Sequence, residues 1–504
     1  MRRRELLEAL LAACAVPFGS CSSTTAPVGR FQPTHDSLIQ YGVPQWYKDA
    51  KFGLYMHWAP FSVPAYKTEW YPHYMYMEGN PIHDYHIKTW GPLNKFGYKD
   101  FIPMLTAEKF DADAFVRLFK EAGMRYVISP AVHHDGFAMW DSRQIPFNAK
   151  AMGPKRDVVR EIVTAARKAG LKTGVATHYG RHWLYYRFRP DYDTWNPKYE
   201  GLYGKRRGDN DPPRPADAEH WKNVMTELID NYQPDYIYAD GGVIDAQLKY
   251  NTFMFRDAFY QVLAHYYNRS REWNKDVVIT YKRGILKPDE AVQDFERSSL
   301  NHIEKMKWQS DDKLSITGWC YVKDSGYWPV DLMIGTLLDI VSKNGNLLLS
   351  VGPKPDGTLP EQEVQMLKEI GAWLGVNGEA IYSSTPWRVF GEGGEVPYSA
   401  PDYQPPKKGP KMKMGLDAVR FTRKGESLYA TVFDWPRDGR FLIKSITADR
   451  PLSPEGIQSI SMLGSGEKLR WKQTAQGLEV TFPSKKPCSY AYVFKITPRG
   501  KLLL

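Results

Sequence analysis

The sequence predicts an α/β fold, a (β/α)8 TIM-like barrel followed by a C-terminal antiparallel β-sandwich, on three observations. Eight short β-branched or aromatic runs alternate with longer amphipathic stretches from about residue 50 onward, and eight is the strand number that closes a small barrel. Near residue 385 the pattern changes to the alternation of antiparallel strands. The 504 residues accommodate a barrel of about 250 residues or more together with a smaller domain.

The eight runs are Phe52 to His57, Tyr126 to Ala131, Lys172 to Thr177, Tyr236 to Asp240, Val277 to Tyr281, Val292 to Glu296, Leu314 to Trp319 and Leu347 to Val351. Helical patterns fill the intervals: Ala112 to Ala122 behind an Asp111 cap, Lys155 to Ala169, Ala216 to Tyr232, Phe253 to Tyr267, Val330 to Ser342 and Glu361 to Leu374. Gly123 and Gly170 fall where helix C-caps belong. Beyond a loop holding Gly391 to Gly394 and the Pro/Lys-rich 401–413, strand patterns recur at Ala418, Leu428, Phe441, Leu478 and Tyr490. These readings divide the chain into 1–21, a leader; 22–35, a polar tether; 36–384, the barrel; and 385–504, the sandwich.

The leader combines Arg2-Arg3-Arg4, a modestly apolar run from Ala9 to Phe18, and Gly19-Ser20-Cys21. Its ending resembles a lipobox with Phe18 in place of the usual aliphatic residue, so Cys21 is the expected lipidation site. The expected location is therefore the bacterial cell envelope, as a periplasmic or surface lipoprotein. Arg3-Arg4 also resembles a twin-arginine signal. No later stretch has the roughly 18 apolar residues of a membrane helix, so any membrane contact is expected through that anchor alone. The other two cysteines, Cys320 and Cys488, are too far apart in sequence to suggest a cysteine-zinc motif or a disulfide framework.

A net charge of +10 raises nucleic-acid binding, but Lys and Arg are interspersed with Asp and Glu, and no nucleic-acid partner is expected. Clusters such as Lys205-Arg206-Arg207 and Lys407-Lys408 read as solvated loop charges. Aromatic residues make up 14% of the chain, with 16 Trp and 32 Tyr, which suits either an aromatic core or the stacking of sugar rings.

Catalytic side chains of such barrels sit at the C-terminal ends of strands. Here those positions carry His57, His133-His134-Asp135, His178, Asp240 and Glu296. Glycoside hydrolysis needs two carboxylates across one mouth, and Asp240 and Glu296 are the pair with both members at strand ends. His133 and His134 suit metal ligation or hydrogen bonding to sugar hydroxyls; with no His two positions from His57, a metal is not expected. Glu69-Trp70-Tyr71, in the long loop after the first strand, joins a hydroxyl acceptor to a flat apolar face.

Several segments closely resemble α-L-fucosidases of glycoside hydrolase family 29, in consistent order over roughly residues 40 to 390. They are the run from Asp49 to Trp58, Glu69-Trp70-Tyr71, Ala131 to Phe137, Pro234 to Gly241, Gln293 to Arg297 and Ser342 to Pro353. The resemblance implies a retaining double displacement on terminal α-L-fucosyl residues of glycans, without a cofactor. Asp240 matches the nucleophile, although Tyr238-Ala239 departs from the usual flanking aromatics. Glu296 matches the acid/base of the subgroup with Asp-x-Glu-Arg. His57, Glu69, Trp70, His133 and His134 match sugar-contacting positions. Thr177-His178-Tyr179 stands where many relatives have Tyr-Tyr-Ser and resembles instead a subgroup with Glu-His-Leu, which makes His178 the expected contact ahead of Tyr179, and Trp319 is a further candidate for covering the apolar side of the sugar. The alternatives are a related exo-glycosidase acting on another sugar such as an α-L-galactoside, and a carbohydrate-binding protein without catalysis.

Overall fold

Short runs buried on both faces become parallel strands when amphipathic helices cover the outside, and eight of them close here into one barrel in chain order. The strands are β1 (Phe52–Met56), β2 (Tyr126–Val132), β3 (Lys172–Thr177), β4 (Tyr236–Ala239), β5 (Val278–Lys282), β6 (Val292–Asp294), β7 (Trp308–Lys313) and β8 (Gly345–Val351). The computed structural model describes residues 30–240, 249–250, 252–282, 284–397 and 411–503. The leader with Cys21, most of the tether and the segment 401–410 lie outside the described residues. At the tether's far end Phe31 is buried, its backbone held to the Asn268 side chain at 2.7 and 2.9 Å.

The outer helices are α1 (Ala112–Glu121), α2 (Val158–Lys168), α3 (Pro215–Tyr232), α4 (Met254–Glu272), α5 (Val330–Ser342) and α6 (Glu361–Asn377). Asp111 caps α1 by accepting from the Ala114 N–H at 3.0 Å, and Asp157 caps α2 through Arg160 at 2.8 Å. Gly123 follows α1 at φ +90, and a Cβ there would also sit 2.6 Å from Leu374 of α6. The left-handed backbone is what favours glycine, while the neighbouring side-chain ends would only have to shift.

The seventh strand corrects the sequence reading. It is Trp308–Lys313, and Leu314 to Trp319 runs on as loop above it. A stretch reading Trp-Gln-Ser-Asp-Asp-Lys lacks the apolar signature of a buried strand, yet all six residues are buried. Its polarity is matched inside the barrel: Gln309 accepts from Tyr47 and Tyr236 at 2.8 and 3.0 Å, and Asp311 from Tyr55 and Tyr238 at 2.7 and 2.8 Å.

The C-terminal domain is the expected sandwich. Five antiparallel strands, in the order Ile457–Met462, Tyr492–Pro498, Ser427–Val432, Val419–Lys424 and Gly391–Glu392, share a core with three others, Arg440–Ile443, Leu478–Thr481 and Trp471–Gln473. Ile457–Met462 and Trp471–Gln473 are additions to the sequence reading, and Gly391–Glu392, expected there as loop, is a short edge strand paired with Val419–Arg420. The domain docks on the barrel through Arg420, whose Nε donates to Asp339 of α5 at 2.6 Å, and through the Trp373 indole of α6, which donates to the Ala491 carbonyl.

Candidate active site

Strands β1 to β6 deliver polar side chains at or just past their ends to the same mouth. His57, His133-His134, His178 and Asp240 follow immediately on β1, β2, β3 and β4, Lys282 closes β5, and Glu296 stands two residues beyond β6. Backbone bonds from His57 to Val351, His178 to Val132 and Asp240 to Thr177 extend the barrel ladder past the strand ends and fix these rims.

Asp240 is the hub. Its Oδ2 accepts from His178 Nδ1 at 3.0 Å and lies 3.7 Å from His134 Nε2, while Oδ1 lies 3.4 Å from the Lys282 ammonium. Burial alone would raise its pKa, but Lys282 and the two histidines override that and hold the carboxyl well below the usual range. The same Lys282 reaches Glu296 Oε2 at 3.1 Å and Asp311 Oδ2 at 3.4 Å. Burial would lower the ammonium's pKa, yet these carboxylates keep it well above its ordinary value. Lys282 was absent from the sequence reading. Its signal was present, a lysine ending an otherwise apolar strand between the two carboxylate strands.

Asp240 and Glu296 therefore face one ammonium, and Asp240 Oδ1 and Glu296 Oε2 are no further apart than its two contacts laid end to end. That ceiling lies at the lower edge of the spacing an inverting glycosidase needs for its extra water, about 6.5 Å. Glu296 is the more open of the two, with 39% of its side chain exposed against 19% for Asp240. Its neighbour Arg297 turns away toward Asp312 at 3.8 Å. Asp294 points into the barrel, where it accepts from Gln309 at 2.6 Å; burial and then Asp311 raise its pKa well above the ordinary value.

Around this pair stand the imidazoles. His57, bonded to Ser350 Oγ at 2.9 Å, has its ring 4.9 Å from His178, which is 4.7 Å from His133. Burial pushes the pKa values of His57, His133 and His134 well below 6.5, so each ring is neutral and offers one donor and one acceptor. Ring nitrogens of His57, His133 and His178 lie within 4.8 Å of one another, a grouping with the dimensions of a metal site. Trp70 packs its ring 5.1 Å from His134, and Trp319 lies 5.2 Å from His57. Glu69 is buried beside them, its Oε2 accepting from the Trp319 backbone N–H at 2.9 Å. Trp319 thus reaches the mouth from the loop after β7 and not from a strand end.

Tyr179 goes elsewhere: it stacks on His182 at 4.6 Å and bonds His220 at 3.1 Å in a neighbouring cavity. The Lys205-Arg206-Arg207 cluster also divides. Arg207 is 3% exposed in a two-pronged pair with Asp217, whereas its two neighbours are solvated as expected.

Paired carboxylates in a pocket of neutral imidazoles and indoles are suited to sugar chemistry, and known proteins agree. Residues 20–379 match the alpha-L-fucosidase family model, and residues 415–497 match that of the alpha-L-fucosidase C-terminal domain. The chain belongs to the α-L-fucosidase family. The enzyme is a glycoside hydrolase 30% identical to human tissue alpha-L-fucosidase, over 94% of this chain and 92% of that one. It is 29% identical to human plasma alpha-L-fucosidase, over 93% and 92%. Among solved structures, the alpha-fucosidase of Thermotoga maritima in complex with fucose superposes with a TM-score of 0.73 at 28% identity, covering 92% of this chain and all of that one.

Proposed function

We propose that this α-L-fucosidase cleaves terminal α-L-fucosyl residues from glycans with Asp240 as nucleophile and Glu296 as acid/base. The observation that carries the assignment is the Lys282 bridge, which sets two carboxylates of unequal exposure at one mouth. An Asp240 oxygen attacks the anomeric carbon while Glu296 gives its proton to the departing oxygen, leaving a fucosyl ester on Asp240. Glu296 then takes a proton from water, the water oxygen attacks the same carbon, and the Asp240 carboxylate departs. His178 and Lys282 favour the ionised nucleophile before attack and as the ester breaks. His57, Glu69, His133 and His134 read the hydroxyls of fucose, and Trp70 and Trp319 cover its apolar side.

Two variants on two substrates test this. Asp240→Gly loses turnover by at least about a thousandfold, and azide, entering the vacated space to attack the sugar, restores part of it. Glu296→Ala loses most on a natural glycan, whose leaving group needs the proton, and least on an activated aryl fucoside. Equal losses on both substrates would move the acid role to another carboxylate. The mature protein is proposed to carry lipid on Cys21 and to reside in the cell envelope, and the mass of its N-terminal peptide checks this.

A further inference from the structure

Glu296 stands on the loop between β6 and β7, and Arg297 behind it takes a left-handed backbone at φ +50. The N–H groups of Phe295 and Arg297 donate to the carbonyls of Gln309 and Asp311 at 2.8 and 2.9 Å, which ties the start of the loop to β7. Two further joints hold the same loop from outside, and both lead to the C-terminal domain.

The first joint is at Ser299. Its hydroxyl donates to Oδ2 of Asp339 on α5, and the same carboxylate accepts from Lys343 Nζ at 2.7 Å and from Arg420 Nε of the sandwich at 2.6 Å. Asp339, Lys343 and Arg420 are all buried. The second joint is at Arg297, the residue next to Glu296. Its Nε lies 3.8 Å from Oδ1 of the buried Asp312, whose Oδ2 accepts from Lys411 Nζ. Lys411 leads into Met412–Met414, which pairs with Glu395–Pro397, and Met414 lies against Gly335 of α5, where a Cβ would meet its side chain at 3.3 Å.

A buried carboxylate needs cations beside it, and at each joint one cation comes from the barrel and one from the C-terminal domain. A domain docked for stability alone could place its ion pairs anywhere on the shared face. Here both end within three residues of Glu296, whose side chain is 39% exposed and so draws less support from packing than its neighbours at the mouth.

We propose that the C-terminal domain positions the acid/base: Lys411 acts through Asp312 and Arg297, and Arg420 through Asp339 and Ser299, to hold the loop where Glu296 meets the departing oxygen. These are positioning residues, and the inference rests on the reading of Glu296 as the proton donor. Proton transfer requires donor and acceptor within hydrogen-bond reach, so a small displacement of the loop slows bond breaking without altering how fucose is held.

Ser299→Ala, at an exposed position, and Lys411→Met each cut one joint and leave every residue of the mouth in place. With the full-length protein, kcat/KM is measured on phenyl, 4-nitrophenyl and 2,4-dinitrophenyl α-L-fucosides, and inhibition by fucose gauges the pocket. On the phenyl fucoside, whose leaving group needs the proton, each variant should lose about tenfold. On the dinitrophenyl fucoside, and in the inhibition constant of fucose, both should stay within about twofold of the parent. Lys411→Arg should recover most of the Lys411→Met loss. Adding Lys411→Met to Glu296→Ala should cost less than about a further twofold, because the group being positioned is gone. Losses equal across the three substrates, or no losses, would overturn the proposal, as would full additivity with Glu296→Ala. The Glu296→Ala parent separates the two readings. If its losses grow as the leaving group worsens while those of the joint variants do not, positioning alone is refuted; if its own losses are flat, the proton-donor assignment falls and the positioning falls with it.

Discussion

Halfway down the barrel, Gln309 and Asp311 gather the hydroxyls of four tyrosines, whereas at the mouth the Nδ1 atoms of His133 and His134 are buried and bond to nothing. The interior tyrosine pairs hold the barrel closed beneath the site, although Asp294 Oδ1, Asp311 Oδ1 and Tyr126 Oη among them are buried without a partner as well. The mouth instead gathers imidazoles, an ammonium and a second carboxylate around Asp240 on that support, which is how a pocket is prepared for a ligand that brings many hydroxyls. Lys282 belongs to both regions, since the ammonium that contacts Asp311 below also contacts Asp240 and Glu296 above.

The largest effect should come from opening the interior. Asp311→Leu strands the Tyr55 and Tyr238 hydroxyls and removes one partner of the buried Lys282. Breaking such a pair costs about 3–5 kcal/mol, visible as a lower denaturation midpoint together with lost activity. Asp311→Asn, which keeps an acceptor for the tyrosines, should retain more of the stability than of the activity. If both variants unfold at the parent's midpoint, the interior network is not what supports the mouth.

Cutting the link itself should be milder for the fold and specific in pH. In Lys282→Met the Asp240 carboxyl loses the cation that most lowers its pKa, so that pKa rises. The nucleophile must be ionised, so the acid limb of the kcat/KM profile moves to higher pH, with neutral-pH activity down on the order of a hundredfold. The stability counterpart has the same direction. A carboxyl depressed in the folded state contributes stability above its unfolded pKa, about 3.9, and loses it as the pH falls through the folded value. The parent should therefore outlast the variant at neutral pH, with the difference closing only in strong acid. An unmoved acid limb would assign that limb to another group.

How much of this was legible in the sequence depended on which region spoke. The mouth residues announced themselves because His57, His133, His178 and Asp240 interrupt or end apolar runs, and polarity at a strand end is conspicuous. The interior did not. Trp308–Lys313 hides its strand because the tyrosines that satisfy Gln309 and Asp311 come from β1, β4 and the helix Gln45–Ala50, and only closure of the barrel brings them together. The same reason obscured Lys282, whose three carboxylate neighbours arrive from β4, β6 and β7. Tyr179 was adjacent to His178 in sequence but turned into the neighbouring cavity, because the short helix Tyr179–Leu184 rotates successive side chains away from the mouth.

The smallest expected effect lies at the boundary between the two regions, where Ser350 of β8 bonds His57 Nδ1 at 2.9 Å. His57 is otherwise positioned by ring contacts with His178 and Trp319, which set its place more firmly than its rotation. The serine fixes the ring's turn, and its hydroxyl, able to donate or accept, supports either tautomer as the sugar bonds Nε2. Ser350→Ala removes that bond but no contact with the reacting atoms. Losing one neutral hydrogen bond costs about 1 kcal/mol, which corresponds to roughly a fivefold rise in KM for an activated fucoside. If the bond serves ground state and transition state alike, kcat stays near the parent value. Ser350→Thr, which retains a hydroxyl, should recover part of the loss. A fall in kcat with KM unchanged would mean that His57 tightens on the sugar only as the glycosidic bond breaks, and would place this serine with the catalytic half of the comparison.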